Sequence, residues 1–164
     1  MGCLALLSLL VSGCVLPDHG RPAPLPLQDY IVNRDGVYYV GLRCTQDLLR
    51  VAVVRDHDVS VDEAWPRPDQ VLWEAKAEPP GKSEIQLFAT ELPDGSVVHE
   101  NQGVIDYTDD LRLYLRDGHD VTLQPAVVLS EIASGYVWAT GADRLYRWEE
   151  YQSLPDKGFT GCDS

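Results

Sequence analysis

The sequence predicts a mainly β protein, an antiparallel β-sandwich with one short C-terminal helix. Apolar and polar residues alternate in several short segments, most clearly from Leu111 to Arg116, and such alternation is typical of a half-buried strand. Turn sequences that contain glycine separate several of these segments. Short strands at this spacing favour an immunoglobulin-like sandwich as the first choice and a barrel as the second.

The alternating segments follow one another from residue 37 to residue 148. Turns are predicted at 34–36, 93–95, 117–118 and 141–143, and alternation places Trp73 and Trp138 on inward faces. The predicted strands are Val37–Leu42, Leu49–Val54, Val71–Glu78, Ile85–Phe88, Leu111–Arg116, Val121–Val128, Tyr136–Thr140 and Arg144–Trp148.

The C-terminal region departs from this pattern. Trp148, Tyr151 and Leu154 recur at near-helical spacing, and the acidic residues at 149 and 150 favour the start of a helix. Pro155 ends the pattern because proline cannot continue a helix. We therefore expect a short helix after a hairpin formed by 136–140 and 144–148.

The first residues have a different character. Residues 1–13 carry no charge, and the apolar run is shorter than the roughly 20 residues that a membrane-spanning helix needs. Val11-Ser12-Gly13-Cys14 resembles the lipobox of bacterial lipoproteins. This resemblance implies cleavage before Cys14, which becomes the new N-terminus and carries a thioether-linked diacylglycerol.

No basic residue precedes Cys14, whereas signal peptides normally begin with Lys or Arg. A start codon further upstream would account for this. Three other interpretations stay open: an ordinary buried cysteine at position 14, a eukaryotic acylation signal at Met1-Gly2-Cys3, and an uncleaved anchor.

Three regions are expected along the chain. Residues 1–13 form the signal peptide, and 14–27 comprise the lipidated cysteine and a tether in which prolines 17, 22, 24 and 26 favour extended chain. Residues 28–164 are long enough for one β-rich extracytoplasmic domain. The lipid on Cys14 would hold that domain at the outer face of the cell membrane.

The net charge limits the possible partners, and the cysteines indicate the compartment. A formal net charge of −13 argues against nucleic acid as a partner. With Cys3 in the leader and Cys14 lipidated, Cys44 and Cys162 remain, and in an oxidising compartment we expect them to form a disulfide. Free thiols or a metal pair are the alternatives, although no histidine adjoins either cysteine.

The general plan of lipobox, proline-rich tether and strand-rich domain resembles small lipoproteins of high-GC Gram-positive bacteria. That resemblance implies an envelope location and carries no active site that could be mapped onto this chain. The lipobox at Val11 to Cys14 is its one specific motif.

Local motifs for catalysis are missing from the sequence. It contains no Gly-x-Ser-x-Gly elbow, and Gly81-Lys82-Ser83 lacks the first glycine of a phosphate-binding loop. We predict no cofactor and no metal. The weak metal candidates are the oxygen- and nitrogen-bearing side chains of one acidic segment: Asp56, His57, Asp58 and Asp62.

The aromatic residues suggest a contact surface. Trp65 lies in a proline-rich loop beside Arg67, and an exposed Trp next to Arg could be an anchor for a protein or glycan partner. More often, such a Trp folds back over the edge of the sandwich. We therefore expect a lipid-anchored, non-catalytic binding module whose partner is an envelope protein or glycan. The alternative is a small envelope enzyme with an acid–base site assembled in space.

Overall fold

The computed structural model of this protein describes residues 29–43, 48–60, 62–77, 84–92, 95–100, 105–116, 121–142 and 144–155. For residues 96–100 and 121–123, it describes only the backbone. The leader and the tether lie outside the described residues, as do Cys14, Cys44 and Cys162.

The described part of the chain is mainly β, as predicted. Its single α-helix, α1, spans Trp148–Ser153 and coincides with the predicted C-terminal helix. The strands are β1 (Asp29–Arg34), β2 (Val37–Leu42), β3 (Arg50–Arg55), β4 (Val71–Ala77), β5 (Glu84–Gln86), β6 (Gly95–Glu100), β7 (Asp110–Arg116), β8 (Val121–Leu123), β9 (Val127–Val128), β10 (Tyr136–Ala139) and β11 (Tyr146–Arg147).

The strands form two antiparallel sheets, which confirms the predicted sandwich over the barrel. The first sheet has the order β11-β10-β1-β2-β5, and the second has the order β6-β4-β3-β7-β8, with β9 also paired to β7. The neighbours β1-β2-β5 and β8-β7-β3-β4 have the order of strands A-B-E and G-F-C-C′ of an immunoglobulin domain. Two features are additional. Strand β6, which follows β5 in the chain, pairs with β4 at the edge of the second sheet, and the β10–β11 hairpin extends the first sheet beyond β1.

The β1–β2 hairpin has a two-residue turn. Asp35 and Gly36 adopt φ angles of 52° and 86°, and positive φ at both positions is what a tight hairpin turn with the twist of its strands requires. The amide of Gly36 donates to Oδ1 of Asn33 over 2.8 Å. The turn is predicted from the sequence, whereas β1 is not, because Asp29–Arg34 does not alternate between apolar and polar residues, and its first five residues, including Asp29 and Asn33, are all buried.

The main core lies between the two sheets. Ile31 and Val40 of the first sheet are in one buried cluster with Val53, Trp73 and Leu113 of the second sheet. The indole Nε1 of Trp73 donates to the carbonyl of Ala89 over 3.1 Å, so this large ring is buried with its one polar atom satisfied. Trp73 therefore fills the core as predicted, and Trp138 packs against the same cluster while partly buried.

Each sheet is also covered on part of its outer face. Helix α1 packs Tyr151 against Tyr30 and Val32 of β1 and against Val137 of β10, forming a second buried cluster. Val59 and Trp65, which lie between β3 and β4 in the chain, pack on the outer face of the second sheet against a third buried cluster that contains Tyr114. Tyr114 is consequently buried on the face that the alternation of Leu111–Arg116 marks as polar.

Within the described ranges, no helix is both long enough and apolar enough to cross a membrane.

Candidate functional site

A groove lies on the outer face of the first sheet, between α1 and the edge strand β5. Its volume is about 420 Å³, within the usual range for small-molecule sites. We call it the α1 groove. It is lined by Tyr30, Leu42, Trp148 and Tyr151, which are apolar or aromatic, and by Arg34, Arg43, Glu84 and Gln152, which are polar.

The floor of the α1 groove is set by strand register. Tyr30 of β1 pairs with Gly41 of β2, and Gly41 pairs with Glu84 of β5. Residues directly opposite one another in antiparallel strands share a face, so Gly41 separates Tyr30 from Glu84 without a side chain of its own. The Tyr30 hydroxyl reaches across this position and donates to Oε1 of Glu84 over 3.0 Å.

Arg34 occupies one end of the groove and holds the same carboxylate. Its Nη1 donates to Oε2 of Glu84 over 2.6 Å and its Nη2 donates to Oε1 over 2.9 Å. The guanidinium carbon lies 4.9 Å from the ring centroid of Tyr39 and 4.7 Å from that of Trp148. Two planar charges in bidentate contact, with an aromatic ring against the cation, form a rigid polar surface.

Three aromatic rings form the wall on the α1 side. The centroid of Tyr30 lies 5.5 Å from that of Trp148 and 5.3 Å from that of Tyr151. Trp148 and Tyr151 are stacked at 6.1 Å with an interplanar angle of 22°. Tyr30 and Tyr151 are buried, whereas Trp148 is only half-buried and presents its indole to the groove.

Arg43 closes the other end and fixes the end of α1. Its guanidinium donates to the carbonyls of Tyr151 and Leu154, and to that of Gln152 over 3.3 Å. The last carbonyls of a helix have no partner within the helix, so a cation at this end both satisfies them and opposes their partial negative charge. The Arg43 guanidinium also lies 5.0 Å from the Tyr151 ring centroid.

Burial controls the ionisation of the two tyrosines. Burial raises the pKa of Tyr30 well above its usual range, and the neighbouring Glu84 carboxylate raises it further. Burial likewise raises the pKa of Tyr151, although nearby Arg43 partly opposes this effect. Both hydroxyls therefore stay protonated, and the groove presents hydroxyls, an ion pair and ring faces, which are groups that bind.

No protein-family model, curated protein or solved structure matches this chain.

The α1 groove is not apparent from the sequence because its parts are distant in the chain. Arg34 and Glu84 are 50 residues apart, and neither belongs to a local motif. Gly41, inside the predicted strand Val37–Leu42, was the available signal, since an isolated glycine in a strand often marks a position where another group approaches. The aromatic residues of α1 have the spacing of a helix, and this spacing does not indicate a role in binding.

Trp65, one of the two predicted contact residues, packs on the outer face of the second sheet. Its ring meets the ring of Tyr114 edge-on, with centroids 5.9 Å apart and an interplanar angle of 63°. The guanidinium carbons of Arg50 and Arg116 each lie 5.0 Å from its centroid. Trp65 is half-buried, so the loop folds back over the sandwich and this ring covers Tyr114.

Arg67, the other predicted contact residue, is exposed. Its Nη1 donates to Oε1 of Glu63 over 2.8 Å, and its Nε lies 3.5 Å from Oδ1 of Asp69. Exposed pairs of this kind contribute little to stability. Neither Arg67 nor Trp65 lines the α1 groove.

The four weak metal candidates do not converge on a common point in the structure. Asp56 accepts a 2.6 Å hydrogen bond from Nε of Arg112, which directs it toward β7. His57 is largely exposed, with its Nε2 3.4 Å from Oδ1 of Asp58, and Asp62 is exposed. Among the residues whose positions are described, no group of three or more His, Cys, Asp or Glu side chains is placed to hold a metal ion.

A second cavity of about 520 Å³ lies between β9, β10 and the β10–β11 turn. Its charged residues, Asp110, Glu131 and Arg144, are exposed. Arg144 is paired with Glu150 of α1 and lies 4.4 Å from the Tyr146 ring centroid. The α1 groove is the better candidate because its polar groups are fixed by one another beside a half-buried aromatic ring.

Proposed function

We propose that this chain is a lipid-anchored, non-catalytic binding module at the extracytoplasmic face of a bacterial cell membrane, and that the α1 groove is its ligand surface. The assignment of the α1 groove as the ligand surface rests on one observation. Glu84 holds Tyr30 and Arg34 in a fixed polar surface beside the indole of Trp148. Fixed polar groups beside an apolar ring are typical of recognition sites.

The anchor is supported by the sequence at Val11 to Cys14, which has the lipobox pattern. A diacylglycerol on Cys14 supplies two acyl chains, and two chains hold a protein firmly where one holds it reversibly. The proline-rich segment 15–27 would then separate the domain from the bilayer.

The proposed disulfide fits this location. Arg43 holds the carbonyls of Tyr151 and Leu154, so the residue before Cys44 contacts the segment that leads toward Cys162. A bridge between Cys44 and Cys162 would link the chain that follows Arg43 to the chain that follows Leu154, and such bridges persist in oxidising compartments.

The groove favours binding over turnover. A general acid or base needs a proton that it can exchange near neutral pH, and the raised pKa values of Tyr30 and Tyr151 keep their protons in place. The Glu84 carboxylate is already engaged by Arg34 and Tyr30. The two tyrosine hydroxyls are therefore poor proton-transfer groups, which counts against the envelope-enzyme alternative at this groove.

The anchor is tested with Cys14→Ser in the full chain expressed in a bacterial host. We expect the parent protein in the membrane fraction, with mass spectrometry showing an N-terminal diacylated cysteine. The Cys14→Ser chain should lack the lipid and leave that fraction. An unchanged membrane association of the variant, or an unmodified Cys14 in the parent, would overturn the anchor.

The ligand surface is tested separately with envelope components retained by the purified protein. Glu84→Ala and Arg34→Ala should each abolish the retention of a component that the parent binds saturably. Glu91→Gln, an exposed carboxylate outside the groove, should retain it. If both groove variants still retain the component, the binding surface lies outside the α1 groove.

A further inference from the structure

We propose that the α1 groove binds a neutral sugar ring, the hexopyranose unit of a glycan. This inference deepens the proposed binding function and depends on it. It rests on the geometry of four residues: the fixed Arg34–Glu84 pair, the Tyr30 hydroxyl and the half-buried indole of Trp148.

Charged ligands fit this groove poorly. Arg34 is held by Glu84 through two hydrogen bonds, and Arg43 donates to three backbone carbonyls. An anion would have to displace an internal carboxylate or expose the carbonyls at the end of α1. A cation would meet two guanidinium groups lining the same cavity.

A purely apolar ligand also fits poorly. It would remove the Arg34–Glu84 pair from water, to which the two side chains are 37% and 22% exposed. Ion pairs taken out of water need further hydrogen bonds to offset the loss of hydration. The ligand must therefore carry hydroxyl or amide groups next to an apolar face.

A sugar ring combines these properties. An arginine carries five N–H donors and a carboxylate carries about four lone-pair sites. Arg34 can therefore donate, and Glu84 can accept, further hydrogen bonds beyond those that join them. Neighbouring hydroxyls on a sugar both donate and accept, and they can engage this donor and this acceptor at once. The C–H groups of the ring are apolar and can pack against the part of the Trp148 indole that stays accessible beside Arg34 and Tyr151.

A peptide is the main competing ligand, because it also presents donors and acceptors beside apolar groups. An extended peptide would gain most from pairing its backbone with a strand edge. The groove instead offers side-chain groups on the face of the sheet, those of Tyr30, Arg34 and Glu84, beside the indole of Trp148. This arrangement suits a compact ring better than an extended chain.

The test uses the purified full chain and four neutral disaccharides: cellobiose, maltose, lactose and N,N′-diacetylchitobiose. Isothermal titration calorimetry and saturation-transfer NMR would measure binding. We expect saturable binding of at least one sugar, with saturation transfer strongest at its ring C–H protons. Ionic probes, sodium acetate and inorganic phosphate, should not compete.

Variants locate the site. Trp148→Ala and Glu84→Gln should each weaken the binding by about tenfold or more, equivalent to about 1.4 kcal/mol. Trp148→Phe keeps a ring and Arg34→Lys keeps the charge, so these conservative changes should fold even if the others do not. Trp148→Phe should weaken binding less than Trp148→Ala, and Arg34→Lys should lose the bidentate contact. The matched controls are Glu91→Gln and Trp65→Phe, and both should bind like the parent.

The outcomes separate the two proposals. Sugar binding that is unchanged in Trp148→Phe and Arg34→Lys would overturn this inference. Failure of all four sugars, with retention of an envelope protein or peptide that needs Glu84, would overturn the sugar assignment and leave the binding module intact. If none of the four sugars binds, and no envelope component binds in a way that depends on Glu84, both the sugar assignment and the proposed binding function would be overturned.

Discussion

Arg34 and Glu84 are joined by two hydrogen bonds, of 2.6 and 2.9 Å, that span the width of β2. The pair links β1, a central strand, to β5, the edge strand of the same sheet. Arg34 reaches Glu84 diagonally across the sheet, with its guanidinium over the Tyr39 ring of β2, and the pair forms part of the lining of the α1 groove. The same two side chains therefore serve both the sheet and the proposed ligand.

This pair should show measurable coupling. In a double-mutant cycle with Arg34→Gln and Glu84→Gln, we expect a coupling energy of about 0.5 to 1 kcal/mol, since both side chains are partly exposed and screened by water. Urea unfolding of the four proteins would measure it. Additive effects of the two substitutions would show that the contact contributes nothing to stability.

The buried tyrosines should make the fold sensitive to alkali. Burial raises the pKa of Tyr30 and of Tyr151 above the unfolded value of about 10. Their contribution to stability is thus complete below pH ~10 and declines as the pH rises beyond it, because the unfolded chain releases these protons first. Tyr30→Phe and Tyr151→Phe should each flatten this decline in denaturation curves.

Tyrosinate absorbance gives an independent check of the same effect. In the native protein, part of the absorbance change should be delayed until the chain unfolds. In denaturant, all eight tyrosines should titrate together near the ordinary value. A native titration that superimposes on the denatured one would contradict the burial of these hydroxyls.

Trp65 should contribute to stability and its neighbour Arg67 should not. Trp65→Ala uncovers Tyr114 and removes the ring held between Arg50 and Arg116, so we expect a loss of about 2 kcal/mol, less than for a fully buried Trp. Arg67→Ala should change the free energy of unfolding by less than about 0.5 kcal/mol. Thermal and urea unfolding would measure both, and equal stabilities would show that Trp65 does not cover the sheet.

The proposed disulfide should stabilise the domain under oxidising conditions. Cys44→Ser or Cys162→Ser should lower the free energy of unfolding by roughly 4 to 5 kcal/mol, because the bridge would close a long loop. In the presence of a reductant, the parent and both variants should have the same stability. Peptide mapping that finds both thiols free in the exported protein would exclude the bridge.

Much of the fold was predictable because strand alternation is a local property. Leu111–Arg116 shows it most clearly, and the segment lies in β7 with Leu111, Leu113 and Leu115 buried in the core. The turn at Asp35-Gly36 and the helix that begins at Trp148 were also recognisable, since positive φ and helical spacing are encoded by neighbouring residues.

The predicted contact loop shows where such local patterns stop being sufficient. The sequence marks Trp65 as an unusual aromatic residue in a proline-rich loop, but it does not state which surface the loop covers. The structure places this ring on Tyr114, a residue of β7 that is distant in the chain. Alternation in β7 identified the outer face correctly, and burial of that face depends on a different segment.

By itself, the sequence determined the fold class, the position of the C-terminal helix and the expectation of a lipobox at Cys14, because each depends on residues within a few positions of one another. Only the tertiary structure decided the α1 groove. Strand register sets Tyr30, Gly41 and Glu84 in one row across three strands, and α1 adds Trp148 from the far end of the chain. Strand register and the docking of α1 are fixed by the packing of the whole core. Contacts between residues so distant in the chain therefore produce no periodic pattern in the local sequence.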